Sequence, residues 1–461
     1  MNRTVAIEGK AKVYTRLICI LIGISIDSLS SLTIKTLTPR FVTFTDCANT
    51  TCPKAITTVP EMQVYGLSIV FASPEAMHIL TLPFARMVFE STGFDLPLII
   101  GLFAQACSSL CFAFGKSMAL YIIARVFLGV GAAFIGTIGL RYIAESTNEP
   151  KTRDALFALV YCLNGFAVIG PTYSGVIVYF YGMLPCFLPL AILSFLCIII
   201  LVAVTRIQTN VSESVMTWYR NTDENVSCGE LLLDPYVVLT AFGIALSQIP
   251  EACLAPGLAL WITETYGLPI WIIGMAFIPA FFAYQVSILL SMLVTSKIPN
   301  HVYIITIFGY IFGAGGNVIL SRDRGYPYFV AGLAIMVFSL TISKFCLVAI
   351  LASVGRIRFS SSPGRIFSVF KLSALVPFVI GPIISLPGDR AIGLSNVSII
   401  TASMCLLFAP LIFILRQISS PYSGNEGKRL VEKKARPYVD ESDASYDTSK
   451  ETTESENEIP D

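Results

Sequence analysis

Apolar stretches long enough to cross a bilayer recur about twelve times along this chain, and a soluble core has no use for that pattern. A helix rising about 1.5 Å per residue needs about 20 apolar residues to traverse the hydrocarbon layer. The stretches cover residues 17–37, 64–85, 97–115, 118–144, 155–181, 183–205, 236–262, 269–294, 302–320, 326–354, 365–388 and 391–415, and are numbered here as spans 1 to 12. The composition agrees, with 55% hydrophobic and only 13% charged residues and a mean hydropathy of +0.74. Inside lipid the backbone must satisfy its own hydrogen bonds, so the expected fold class is an all-α polytopic membrane protein.

Polar segments divide the chain. Residues 206–235 are the longest polar interruption between spans and follow the sixth, which separates a six-helix bundle over 17–205 from a second over 236–418. Residues 1–16 are polar with Arg3, Lys10, Lys12 and Arg16, and no small-residue cleavage site follows, so span 1 is expected to act as a retained signal anchor. From Ser419 the composition turns basic and then acidic, as expected of a disordered acidic tail over 419–461.

Orientation follows from lysine and arginine, which stay on the cytoplasmic side. One side collects Arg86, Arg141, Lys151, Arg153, Arg206, Arg220, Lys297, Arg356, Arg358, Arg365 and Arg416, with a basic cluster at 428–436. The other has Arg40, Lys54, Lys116, Arg322, Arg324 and Arg390. Both termini and the 206–235 linker are therefore expected in the cytoplasm. Cys47 and Cys52 then face the lumen or exterior, where they form a candidate disulfide around a candidate glycosylation site at Asn49.

Several function classes drop out. A net charge of +1 with no basic tract interleaved with aromatics excludes a nucleic-acid partner. The other cysteines lie mostly in apolar runs without paired metal-binding spacing, and no glycine-rich phosphate loop or HExxH occurs, so no enzyme chemistry, metal or cofactor is expected. The span count excludes a seven-helix receptor, and the absence of a repeated filter-like loop argues against a channel.

Ionisable residues inside spans are costly and line polar paths by default. Asp27, Arg125, Glu251, Lys344 and Lys371 are central; Lys35 and Glu75 lie near a helix end or a proline and read equally well as snorkelling side chains. His78 is expected to be a hydrogen-bonded core histidine. The central set holds one more cation than anion, so Lys344 or Lys371 is expected to pair with Asp27 or Glu251. Tyr161, Phe166, Tyr284 and Phe378 are candidate pocket walls. In span 5, Gly170 and Pro171 interrupt an otherwise continuous helix and form a candidate hinge.

The segments VYGLSIVFAS (64–73), YIIARVFLGVGAA (121–133), AVIGPTYSG (167–175), LLLDPYVVLTAFGIA (231–245), GMAFIPAFFAY (274–284) and LLFAPLIFILR (406–416) resemble the vesicular acetylcholine and monoamine transporters of the major facilitator superfamily. The resemblance covers both halves in order and leans to the acetylcholine branch in QIPEACLAP (248–256) and IPAF, which brings in Gln248 as a candidate binding residue. It implies the major facilitator fold and proton-coupled antiport of a small organic solute at a secretory or synaptic vesicle membrane. By the same resemblance Asp27 meets a cationic amine, Arg125 is the arginine of an ARxxxG segment, Tyr284 is an aromatic near the pocket, and Gly170-Pro171 matches the antiporter motif.

The chain also departs from that pattern. Ala255 stands for the family's glutamate before the span 7 proline, with Glu251 one turn earlier, and Pro74 replaces the span 2 lysine. Lys344 and Lys371 stand where the family keeps the aspartates associated with proton coupling and substrate recognition. ARMVFESTG (85–93) keeps only the acid Glu90 of the superfamily's loop signature, its second copy is unrecognisable in SMLVTSKIPN (291–300), and WITETYGLPIW (261–271) lacks the family's luminal cysteine. Two alternatives therefore stand beside the amine antiporter: a transporter of a neutral or anionic solute, and a transport-dead relative acting through partners.

Overall fold

The computed structural model describes residues 2–43, 61–146, 150–206, 233–322, 324–358 and 363–417. Among these, all regular structure is helical. Twelve helices are long and apolar enough to cross a membrane: Val13–Thr36, Gln63–Thr92, Asp95–Phe114, Met118–Ile143, Leu159–Tyr181, Met183–Ala203, Pro235–Tyr266, Ile270–Lys297, Pro299–Leu320, Tyr326–Gly355, Ser368–Ile392 and Leu394–Arg416. Large apolar side chains such as Phe84, Phe103, Ile199 and Leu407 are exposed on their outer faces, as a lipid-facing surface requires. The Cys47, Cys52 and Asn49 loop, nearly all of the 206–235 linker and the 419–461 tail lie outside the described residues.

Helix contacts repeat with an offset of six spans. Span 4 packs on spans 1, 2 and 3, and span 10 packs on spans 7, 8 and 9; span 3 packs on span 6 as span 9 does on span 12; span 1 packs on span 5 as span 7 does on span 11. The recurrence defines two six-helix bundles. Span 2 meets span 11 and span 5 meets span 8 across the divide, so these four helices frame the interface. One buried core runs from Val237 to Leu415 within the second half, and two others draw on the first half, one of them joined by Leu260 and Leu386.

Glycines set the closest helix crossings. A Cβ on Gly101 would lie 2.6 Å from Ile135, and one on Gly131 would lie 2.7 Å from Gln105, so spans 3 and 4 approach at backbone distance. Between the bundles, Gly175 of span 5 and Gly274 of span 8 face each other in the same way.

Span 5 is not one continuous helix. Pro150–Phe166 ends in a 3-10 turn over Ala167–Ile169, and a second helix begins at Gly170 with Pro171 in its first turn. Proline fits there because first-turn N–H groups have no intrahelical partner. The interruption therefore sits one turn before the Gly-Pro pair. Span 1 likewise closes in a 3-10 turn over Ile34–Thr36.

Span 11 runs further than its apolar run indicates. It continues to Ile392 and stops only at Gly393, whose φ of 84° an L side chain rarely adopts. Asp389 and Arg390, read from the sequence as loop residues, are thereby inside the helix.

Candidate functional site

Helical spacing decides which side chains meet between the bundles. In span 1, Asp27, Ser31 and Lys35 recur every four residues and so share one face; in span 2, Phe71, Glu75 and His78, spaced four and three apart, also share one. Span 7 contributes Gln248, Glu251 and Ala255, span 8 Phe277, Ala280 and Tyr284, and span 11 Lys371, Leu375, Phe378 and Pro382. With Arg125 from span 4, Asn164 from span 5 and Lys344 from span 10, these faces enclose a cavity of about 290 Å³. That is at the small end of small-molecule sites.

Arg125 is seated by a proline one helix away. Pro74 has no N–H, so the Val70 carbonyl one turn earlier loses its helical donor, and Arg125 Nε donates to that carbonyl at 3.0 Å. The crossing is tight because Gly129 packs on the Pro74 carbonyl, where any Cβ would overlap it. The ARxxxG spacing thus has a local cause: arginine and glycine one turn apart let span 4 supply both the donor and the clearance.

The cavity's charges are unevenly matched. Lys35 Nζ lies 2.5 Å from Glu251 Oε1, joining the end of span 1 to the middle of span 7. Lys371 reaches across to span 4 near Gly136, within electrostatic range of Asp27 and Glu75. Lys344 has no carboxylate within 4.0 Å among the described residues; its Nζ lies 5.5 Å from the Phe345 ring centroid. His78 is buried, with Nδ1 4.0 Å from Glu75 Oε2 and no partner for Nε2.

Several expectations need correction. Lys35 does not snorkel: on the face it shares with Asp27 and Ser31 it turns to Glu251 of span 7 and is 9% exposed. Glu75 faces the cavity as well. Neither Lys344 nor Lys371 forms an ion pair with Asp27 or Glu251, because Lys35 already takes Glu251. Tyr284 and Phe378 line the cavity, whereas Tyr161 packs edge-on against Phe345 and Phe166 is 55% exposed beside Phe281. Pro171 touches the cavity and Gly170 packs on span 1 at Leu29.

Other polar groups were not singled out in the sequence. Ser28 Oγ lies 2.5 Å from Asn164 Oδ1, tying span 1 to span 5, and both line the cavity. Beyond them, Thr36 and Ser174 hydroxyls are 2.8 Å apart, and Thr172 Oγ1 donates to the Gly274 carbonyl at 2.6 Å. The first lies within the first bundle, and the second crosses from it to span 8 of the second. Toward the opposite end of the cavity, Tyr161, Phe345 and Tyr284 form an aromatic cluster. Isolated serines and threonines in apolar runs give no sequence signal that distinguishes them from residues bonded within their own helix.

Two pseudo-repeated bundles enclosing a charge-lined cavity near the middle of their spans define a polytopic carrier of the secondary-transporter class. The chain belongs to the Major Facilitator Superfamily, whose family profile matches residues 41–358. It is therefore a transporter-family protein and not an enzyme. It is similar to the vesicular acetylcholine transporter of Torpedo torpedo, with 26% identity over 353 residues covering 76% of this chain and 68% of that protein. The human vesicular acetylcholine transporter is 26% identical over 78% of this chain and 67% of its own length. For the Drosophila melanogaster protein of that name the identity is 26%, over 76% of this chain and 60% of the relative.

Proposed function

We propose that this protein is a secondary active transporter that carries a small organic solute by alternating access, in exchange for protons, across a secretory or synaptic vesicle membrane. The observation that carries the reading is the charge-lined cavity built from both bundles, with a polar cross-bundle contact toward one end and an aromatic cluster toward the other. Alternating access needs such a site, because rocking the two halves exposes the same residues first to one side and then to the other.

In this reading Gln248 and Tyr284 bind the solute, while Glu251 holds Lys35 across the cavity. Asp27, Glu75 and His78 are the groups able to take up protons, since they share the cavity with Arg125 and Lys371 and a change in their charge alters that balance. The N-terminus, the 206–235 linker and the tail are cytoplasmic, and the ends of spans 1, 5 and 7 face the lumen. Gly170 and Pro171 supply the bend that span 5 uses as it moves against span 8.

The test is uptake by proteoliposomes containing the purified full-length chain, with a panel of labelled amines, amino acids and organic acids and with or without an imposed pH gradient. Accumulation of at least one solute that collapses with the gradient supports proton exchange. Accumulation that ignores the gradient removes the coupling and leaves transport. A folded protein that accumulates nothing under either condition points to a relative that has lost transport.

A further inference from the structure

Three carboxylates face the cavity, Asp27, Glu75 and Glu251, against four cations, Lys35, Arg125, Lys344 and Lys371. Glu251 is taken by Lys35 at 2.5 Å. Asp27 and Glu75 act on Arg125 and Lys371, which lie in their electrostatic range. Like Arg125 and Lys371, Lys344 has no carboxylate within 4.0 Å among the described residues, but the acid acting on it is Glu251, which is already bonded to Lys35; it sits half-buried in span 10 as the cation whose acid is shared.

Surroundings sharpen the point. The Lys344 ammonium lies 5.5 Å from the Phe345 ring centroid, and that ring meets Tyr284 at 6.5 Å and Tyr161 at 5.2 Å. Aromatic faces attract cations, but here the protein's own ammonium stands beside them. An unpaired cation in a low-dielectric cavity is destabilised until an anion supplies the missing charge and hydrogen bonds. We propose that the transported solute is a small organic anion, a carboxylate with an apolar or aromatic body, whose carboxylate docks on Lys344 while its body packs against Tyr284 and Phe378.

This inference rests on the transport reading and differs from the acetylcholine-transporting relatives in the sign of the solute. Tyr284 and Gln248 share the lining with Lys344 and are among the neutral donors available to a bound carboxylate. Capture of the anion brings the net charge of the cavity to zero. The loaded carrier can then change state without moving an uncompensated charge through the middle of the membrane.

The experiment measures thermal stabilisation of the purified full chain in detergent by benzoate, lactate and glutamate against acetylcholine, choline and serotonin, followed by counterflow of the same compounds in proteoliposomes. The expected result is that at least one carboxylate both stabilises and exchanges, and that no amine does. Lys344→Gln should weaken that carboxylate by at least about tenfold, whereas Lys344→Arg, which keeps the charge, should retain it within about threefold. Size-exclusion profiles matching the unmodified protein confirm that both variants fold. A carboxylate that stabilises through Lys344 without exchanging supports the anion site and overturns transport. An amine that exchanges while carboxylates do nothing overturns the anion site and leaves transport standing, as does a carboxylate whose affinity is unchanged in Lys344→Gln. Counterflow of neither class, with no stabilisation, overturns both.

Discussion

Lys35 at the close of span 1 and Glu251 in the middle of span 7 form the ion pair that ties the two bundles together across the cavity, at 2.5 Å. Lys35 lies in the closing 3-10 turn of span 1, Ile34–Thr36, on the same face as Asp27 and Ser31. Glu251 is thereby occupied by the protein itself.

Breaking that pair should destabilise the closed arrangement. Lys35→Met leaves the Glu251 carboxylate without its partner in a largely apolar setting, and a loss of about 2 kcal/mol is expected, read as a lower thermal midpoint of the purified protein. The exchange Lys35→Glu with Glu251→Lys should recover most of it. A single variant as stable as the unmodified chain would show that the contact contributes nothing.

The Pro74, Arg125 and Gly129 arrangement makes a steric demand. Gly129→Ala places a methyl group on the Pro74 carbonyl and should cost about 1–3 kcal/mol by forcing spans 2 and 4 apart. Gly315 has nothing within 4 Å of an added Cβ, so Gly315→Ala should be neutral or stabilising by up to about 1 kcal/mol through helix propensity. Equal thermal midpoints for the two variants would refute this account of how Arg125 is held.

Pro171→Ala supplies a backbone N–H at the start of Gly170–Tyr181 that can bond back into the preceding 3-10 turn and stiffen the join. Slower solute exchange is expected, with cysteine accessibility shifted toward one state. Unchanged transport and accessibility would reduce Gly170 and Pro171 to packing residues.

Glycan mapping tests the orientation. Expression in a glycosylating cell should modify Asn49 and leave Asn225 bare, because the basic loops place the first on the luminal side and the second on the cytoplasmic side. The opposite occupancy would invert the topology.

Much of the architecture was legible from apolar run length alone, since lipid leaves the backbone little choice but helices, and the spans fall close to the apolar runs except that span 2 continues past 85 to Thr92 and takes Arg86 and Glu90 into the helix. What periodicity could not show was where a helix ends when polar residues still fit its geometry. Asp389 is the clearest case: the helix carries it to a position against Gly257, where both carboxylate oxygens are buried without a hydrogen-bond partner. The cavity residues were visible as charges in apolar runs, but their partners were not. Lys35 meets Glu251 across the cavity from the closing turn of span 1, and Arg125 meets the Val70 carbonyl that Pro74 releases.

The most direct test of alternating access addresses the end where spans 5 and 8 meet. Thr172 of the first bundle donates to the Gly274 carbonyl of the second at 2.6 Å there, so Thr172→Cys with Gly274→Cys should cross-link the two bundles when oxidised. If the two halves must part at this end for each solute carried, proteoliposome uptake should be lost in the cross-linked protein and return on reduction, while each single variant transports in both conditions. Full uptake by a completely cross-linked carrier would contradict the account.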